Sequence, residues 1–202
     1  FVSDLRTGAM SGGSGEEAVL NAAAAQLINW IGLPSGVAAG MADSKLPDQQ
    51  AGHEKGTTVT LAAQAGANVV FESAGMLASL LACSLETLVI DNDLLGAVAR
   101  SVKGIEVNND SLAVEVIREV VEGAGHFLGH EQTLRVMQTE YIYPSVGDRL
   151  SPEDWADAGS LDVRARANGR VKEILSLPTP AHINPKADAL IRDLFPIRLD
   201  LV

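Results

Sequence analysis

Apolar and polar positions change period several times along the chain, and each change marks an element. Leu20, Ala24, Leu27, Ile28 and Ile31 recur at helical spacing and predict a helix with that stripe as its apolar face, ending near Gly32 and Pro34. Ser14 and Glu17 stand at the spacing of a capping box that would start it. The apolar run at 36–40 predicts a short buried strand, and the polar stretch from Gly40 to Lys55 reads as the turn that hands it to a second helix, from about Pro47 to Ala65. Residues 67–71 predict a further strand, and the half-apolar residues 1–10 supply the first of the series. Leu85, Leu88, Val89, Leu95, Val98 and Val102 define the helix after residue 71. Leu112, Ala113, Val116, Ile117, Val120 and Val121 define another, capped by Asp110 or Ser111; both are expected to be half buried. A short helix through Leu134 and Met137 and helical stretches at about 152–176 and 185–194 complete the pattern.

Strand and helix thus alternate three times in the first half of the chain, which predicts an α/β fold with a parallel sheet and right-handed crossovers. Three parallel strands would leave two open edges. Further strands are therefore expected from upstream sequence or from another chain, and an isolated piece is expected to self-associate as a homo-oligomer. The opening Phe1-Val2-Ser3-Asp4 shows no secretory signal and reads as the tail of something longer.

Composition narrows the function. With 47% hydrophobic residues among 202, the chain can bury a core, and no run of about 18 apolar residues predicts a membrane span. Fifteen basic against 26 acidic residues leave a formal charge of −11, which argues against nucleic acid as a partner. A single cysteine, Cys83, excludes an internal disulfide framework and a thiolate metal cluster within one chain, and favours the cytoplasm. In its apolar surroundings Cys83 reads as inert core.

Chemistry gathers at the strand-to-helix junctions, where parallel α/β folds bind ligands. Asp43, Ser44, Lys45, Asp48, Gln49, His53 and Glu54 crowd the central turn; they are either capping and surface groups or a site, and His53 would either brace the turn or touch a ligand. The loop Gly12-Gly13-Ser14-Gly15 is a tight turn, a backbone N–H site for a ligand, or, lacking the lysine of a P-loop, a weak nucleotide-phosphate candidate. Met10, Met41 and Met76 follow the strands as core packing or as an apolar lining. His126 and His130 are four apart beside Glu131, but glycines at 125 and 129 and the absence of a His-Glu-x-x-His order count against a metal site, so none is assigned. They are a structural pair, or they face a ligand. Tyr141, Tyr143 and Trp155 form a lid or a docking surface.

Three segments in series carry a resemblance: Arg6-Thr7-Gly8-Ala9-Met10-Ser11-Gly12-Gly13, Asp43-Ser44-Lys45 through Asp48-Gln49-Gln50-Ala51-Gly52-His53-Glu54-Lys55, and Gly125-His126-Phe127-Leu128-Gly129-His130-Glu131-Gln132-Thr133-Leu134. With Glu140-Tyr141-Ile142-Tyr143-Pro144, they resemble the trimethylamine methyltransferase family over most of the chain. The resemblance implies the carboxyl-terminal part of a (β/α)8 TIM-type barrel, with residues 1–137 in the barrel and 138–202 as a helical extension packed on it. It implies an enzyme that moves a methyl group from a tertiary or quaternary methylamine, such as trimethylamine or glycine betaine, to the cobalt of a corrinoid (cobalamin) carried on a partner protein. No nonstandard residue is present, so the likeness is to the branch that lacks pyrrolysine. In such a site Asp43 and Glu72 would be the catalytic carboxylates that hold the cation. Met10, Ser11, Gly12, Gly13, Met41, Ser44, His53, Ser73, Met76, His126 and His130 would surround the substrate, with a betaine carboxylate on the N–H groups of Gly12 to Gly15. The alternative is a non-catalytic small-molecule binding or assembly module on the same half-barrel.

Overall fold

Short polar side chains open the two helices that carry the site. Ser14 accepts a hydrogen bond from the Glu17 N–H and starts α1 (Gly15–Trp30), and Asp48 accepts from Ala51 and starts α2 (Gln49–Gln64). In this computed structural model, which describes residues 1–178 and 182–197, the helices flank a parallel pair, β3 (Gly36–Ala38) and β4 (Val69–Phe71), registered Gly36 to Val69 and Ala38 to Phe71. The first expected strand does not join that pair. Instead β1 (Val2–Ser3) and β2 (Met10–Ser11) make an antiparallel hairpin, closed by Asp4, whose carbonyl and N–H bond across to Gly8 and Ala9.

A second hairpin was not foreseen. β5 (Met76–Leu77) and β6 (Ala82–Cys83) pair antiparallel before α3 (Leu85–Lys103) begins at its Ser84 cap. Its turn holds Ala78, Ser79 and Leu80 in succession at φ of +49°, +50° and +76°, a left-handed run that costs side-chain-bearing residues roughly 1–2 kcal/mol each. Cys83 is exposed on β6 rather than buried in the core.

Alanines and valines make the core. Ala25 of α1, Val37 of β3, Ala39 just after it, and Ala62 of α2 are buried together, with Ala65, Ala67 and Val70 against them. Small residues let both helices lie close on one face of β3 and β4. This reverses the expected face of α1: Glu17, Ala18 and Ala25 are buried, whereas Leu20, Leu27 and Ile31 are exposed. The other face of the strand pair is also bare, with Val69 and Phe71 exposed.

Two expected helices break at left-handed residues. The stripe at 112–121 divides at Ala113 (φ +51°) into α4 (Asn109–Leu112), capped by Asn108, and α5 (Val114–Glu122), of which only Val120 is buried. The stretch at 152–176 divides at Gly159 and Ser160 into α7 (Pro152–Asp157) and α8 (Val163–Ser176). Between them lies α6 (Glu131–Thr139), and α9 (Pro185–Leu194) closes the described chain as expected. Helix α8 packs on α3, where Asn168 donates to Glu86. The Asp93 carboxylate of α3 accepts from the N–H groups of Ser145, Val146 and Gly147. No described helix is long and apolar enough to cross a membrane. Residues 179–181 and 198–202 of the expected extension lie outside the described residues.

Candidate active site

Asp43 is the hub of the carboxyl ends of β2 and β3. Its Oδ1 accepts from the N–H groups of Gly12 (2.8 Å) and Gly13 (3.3 Å) and from the Ser79 hydroxyl, and its Oδ2 accepts from the Ser11 hydroxyl. One carboxylate thereby ties the loop before α1, the turn after β3 and the left-handed hairpin tip. Partial burial pushes its carboxyl up, but the Ser11, Ser79, Gly12 and Gly13 hydrogen bonds outweigh that and hold it below the usual range. Asp43 is held as the carboxylate, with three hydrogen bonds on Oδ1 and one on Oδ2.

This arrangement changes the reading of the glycine loop. The N–H groups of Gly12 and Gly13, expected to receive a ligand carboxylate, already hold the protein's own. Space requires glycine at 13, where a Cβ would stand 2.8 Å from Glu54 Oε2 and 2.9 Å from its Cβ, and is tight at 12, where a Cβ would stand 3.1 Å from Met41 Sδ. Met41 is buried packing against that loop, while Met10 stands half exposed at its rim.

Glu54, rather than His53, braces the turn. Its Oε2 accepts from the N–H groups of Asp43 (2.7 Å) and Ser44 (3.3 Å), and its Oε1 takes the Gln50 amide at 2.7 Å. The exposed His53 ring bonds only its own helix, at the Gln49 carbonyl. Ser44 is buried, and its hydroxyl lies within hydrogen-bond distance of Asp48 Oδ1 (2.9 Å) and Leu46 O (3.1 Å) while accepting from the Leu46 N–H, which fixes the turn into α2.

Beneath lies a fully buried ion pair that the sequence analysis missed. Lys55 and Asp91 are 1% and 2% exposed, with Nζ 2.9 Å from Asp91 Oδ2. Lys55 also donates to the Gly40 carbonyl at 2.7 Å, and Asp91 accepts from the Gly75 N–H at 2.7 Å. The pair joins the backbone leaving β3 to the backbone leaving β4. Lys55 lies within one of the quoted motifs, at helical spacing from Ala51, Thr58 and Val59, which is the signal that could have placed it inside.

The third junction meets the second by direct backbone contact. Gly40 has φ of +89°, and a Cβ there would stand 2.9 Å from the Cα and carbonyl oxygen of Ser73. Gly40→Ala is therefore expected to destabilise the fold by about 2 kcal/mol or more, measured by chemical unfolding. Glu72 is an exposed residue with φ of +63° beside that contact, and Met76 is half buried in β5.

A cleft of about 620 Å³ opens over Asp43, with Asp4, Met10, Ser11, Lys45 and Ser79 in its walls. The expected residues thus divide into groups. Met10, Ser11 and Asp43 line the cleft; Gly12, Gly13, Met41 and Ser44 do not, but build the loop and turn that hold Asp43. Ser73 packs against Gly40 behind it, and Glu72, Met76 and His53 are not among its lining. His126 and His130 stand apart, lining a cleft of about 380 Å³ with Glu119. His130 caps α6, accepting from the Gln132 N–H at 3.1 Å. Among the described residues no group of three or more His, Cys, Asp or Glu side chains could hold a metal ion.

Comparison with known proteins places this geometry. Residues 1–198 match the family model described as trimethylamine methyltransferase. The trimethylamine methyltransferase MttB2 of Methanosarcina mazei is 42% identical over 192 residues, covering 95% of this chain and 37% of that protein. The trimethylamine methyltransferase MttB of Methanosarcina barkeri is 43% identical over 175 residues, 85% of this chain and 34% of its own. The glycine betaine methyltransferase of Desulfitobacterium hafniense is 35% identical over 191 residues, 95% of this chain and 40% of its own. The chain spans little more than a third of the length of these relatives. A match along nearly the whole of its residues shows that the chain belongs to the trimethylamine methyltransferase family.

Proposed function

We propose that this chain forms part of an enzyme that removes a methyl group from a tertiary or quaternary methylamine, and that the Asp43 cleft holds the methylated nitrogen. The supporting observation is a carboxylate fixed by four donors in the wall of a cleft that Met10 also lines, and held by those donors below the usual carboxylate range. A quaternary ammonium ion releases a neutral amine when its methyl group departs, so no proton donor is needed; placement and exclusion of water are. Asp43 Oδ2, which accepts only the Ser11 hydroxyl, has lone-pair capacity left to face a cation. Positive charge leaves the nitrogen during reaction, so a neighbouring carboxylate favours the bound cation over the departing amine. Its contribution is capture and orientation.

The methyl acceptor in this reading is cobalt in a corrinoid carried by a separate protein, a co-substrate rather than a group resident on this chain. The fold reading that accompanies it is the carboxyl-terminal part of a (β/α)8 barrel. Its support is the parallel β3 and β4 pair, covered by α1 and α2 on one face, with Val69 and Phe71 bare on the other. Bare apolar faces of this kind mark surfaces that pack against something else, in this reading further sequence or another chain. The test is methyl transfer by the native full-length protein from a panel of methylated amines to free Co(I) cobalamin, followed optically. Methylation of cobalt by at least one tertiary or quaternary amine is expected. A panel without any methyl transfer, in the presence of measurable amine binding, would favour the non-catalytic binding module.

A further inference from the structure

The cleft over Asp43 is lined by two charged groups of opposite sign, Asp43 and Lys45, neither of which forms a salt bridge among the described residues. Asp4 is neutralised by Arg6, whose Nε and Nη2 bond its two oxygens at 3.1 and 2.6 Å and hold its carboxyl far below the usual range. The hydroxyls of Ser11 and Ser79 spend their protons on Asp43. What remains facing the space is the Asp43 carboxylate and the ammonium of Lys45, the one cationic side chain among the described residues that line it. Lys45 is exposed, and its Nζ is held over the turn by the carbonyl of Asp43 itself, at 2.8 Å. A lysine ammonium has three donors, so this bond leaves others open.

We propose that Lys45 is a specificity-determining residue, which takes the carboxylate of a betaine-type methylated amine while Asp43 faces its ammonium. The proposal rests on the reading of this cleft as the amine site, and goes beyond it by assigning the group that separates carboxylated from uncarboxylated amines. The Gly12 and Gly13 N–H groups cannot do so, because Asp43 occupies them. An unpartnered carboxylate placed beside Asp43 would be repelled; beside Lys45 it gains a charge-assisted hydrogen bond at the rim of the same cleft.

Titration calorimetry of the native full-length protein with glycine betaine and with tetramethylammonium tests this, for the wild type, Lys45→Met and Lys45→Arg. Lys45→Met is expected to weaken glycine betaine by about tenfold or more, the scale of one charge-assisted bond, while tetramethylammonium changes by less than about twofold. Lys45→Arg is expected to retain most of the betaine affinity. Equal effects of Lys45→Met on both ligands, or none on either, would overturn the assignment and leave the amine site standing. Failure of the wild type to bind either ligand would remove the reading of the cleft and this inference with it.

Discussion

Asp91→Ala is expected to lower the free energy of unfolding by about 3–5 kcal/mol, because it leaves the Lys55 ammonium buried without its counter-charge. It also strands the Gly75 N–H. Burial pushes the Asp91 carboxyl up, against the pull of Lys55 and of that N–H, so the pair persists only while both partners are present. The double variant Lys55→Met with Asp91→Leu removes both charges, and is expected to recover at least half of the loss. Urea unfolding of the single and double variants in the native full-length protein measures this coupling. A double variant as unstable as the sum of its parts would show that the two charges do not act as a pair.

Asp43→Asn is expected to reduce kcat/KM for methyl transfer by about tenfold or more, mainly through KM, since the carboxylate binds the cation more strongly than it binds the neutral product. Unchanged KM would contradict this role. The substitution is not silent for stability. An amide keeps one acceptor for Gly12, Gly13 and Ser79, but it presents N–H groups where the Ser11 hydroxyl donates. A loss of about 1–3 kcal/mol follows from the strength of hydrogen bonds to charged groups. The pH dependence has a definite sign. The folded carboxyl is held below its unfolded value, so its contribution is fully present above about pH 4, the unfolded carboxyl range, and is lost as pH falls through the folded value. Asp43→Asn should remove that part of the acid dependence.

What could be read in the sequence was local. Ser14 marks a helix start by its capping chemistry, and the structure begins α1 there; the helix expected from about Pro47 begins at Gln49 behind its Asp48 cap, and the stretch expected from 185 begins there behind an Asn184 cap. The clustering of polar residues from Asp43 to Glu54 reflects a turn whose partners lie nearby in the chain. Contacts at long range were not readable. That Asp43 would take donors from Ser11, Gly12, Gly13 and Ser79 depends on three loops meeting, and no period in the sequence encodes that meeting. The same applies to Lys55, whose partner Asp91 lies 36 positions further on, in α3.

Two errors have a common origin. The leucine stripe of α1 and the stripe at 112–121 were expected to face a core, yet Leu20, Leu27, Leu112 and Ile117 are exposed. Hydrophobic periodicity reports which face is apolar, not what covers it. In α1 the strand pair takes the alanine side, because Ala18 and Ala25 allow closer approach than leucine would. The hairpin of β5 and β6 was missed for a different reason. Its tip, Ala78-Ser79-Leu80, contains none of the glycine or asparagine that normally mark left-handed turns. Its conformation is held instead by the bond from Ser79 to Asp43 and by the bonds from the Ala78 and Ser79 N–H groups to Ser44 O and Ala42 O.

The most direct test of the cleft as the amine site is a crystal structure of the native full-length protein with tetramethylammonium bound. The expected result is a cation in contact with Asp43 Oδ2 and Met10, with the Ser11 and Ser79 bonds to Asp43 retained. A cation seated elsewhere, with the Asp43 cleft empty at a saturating concentration, would contradict it.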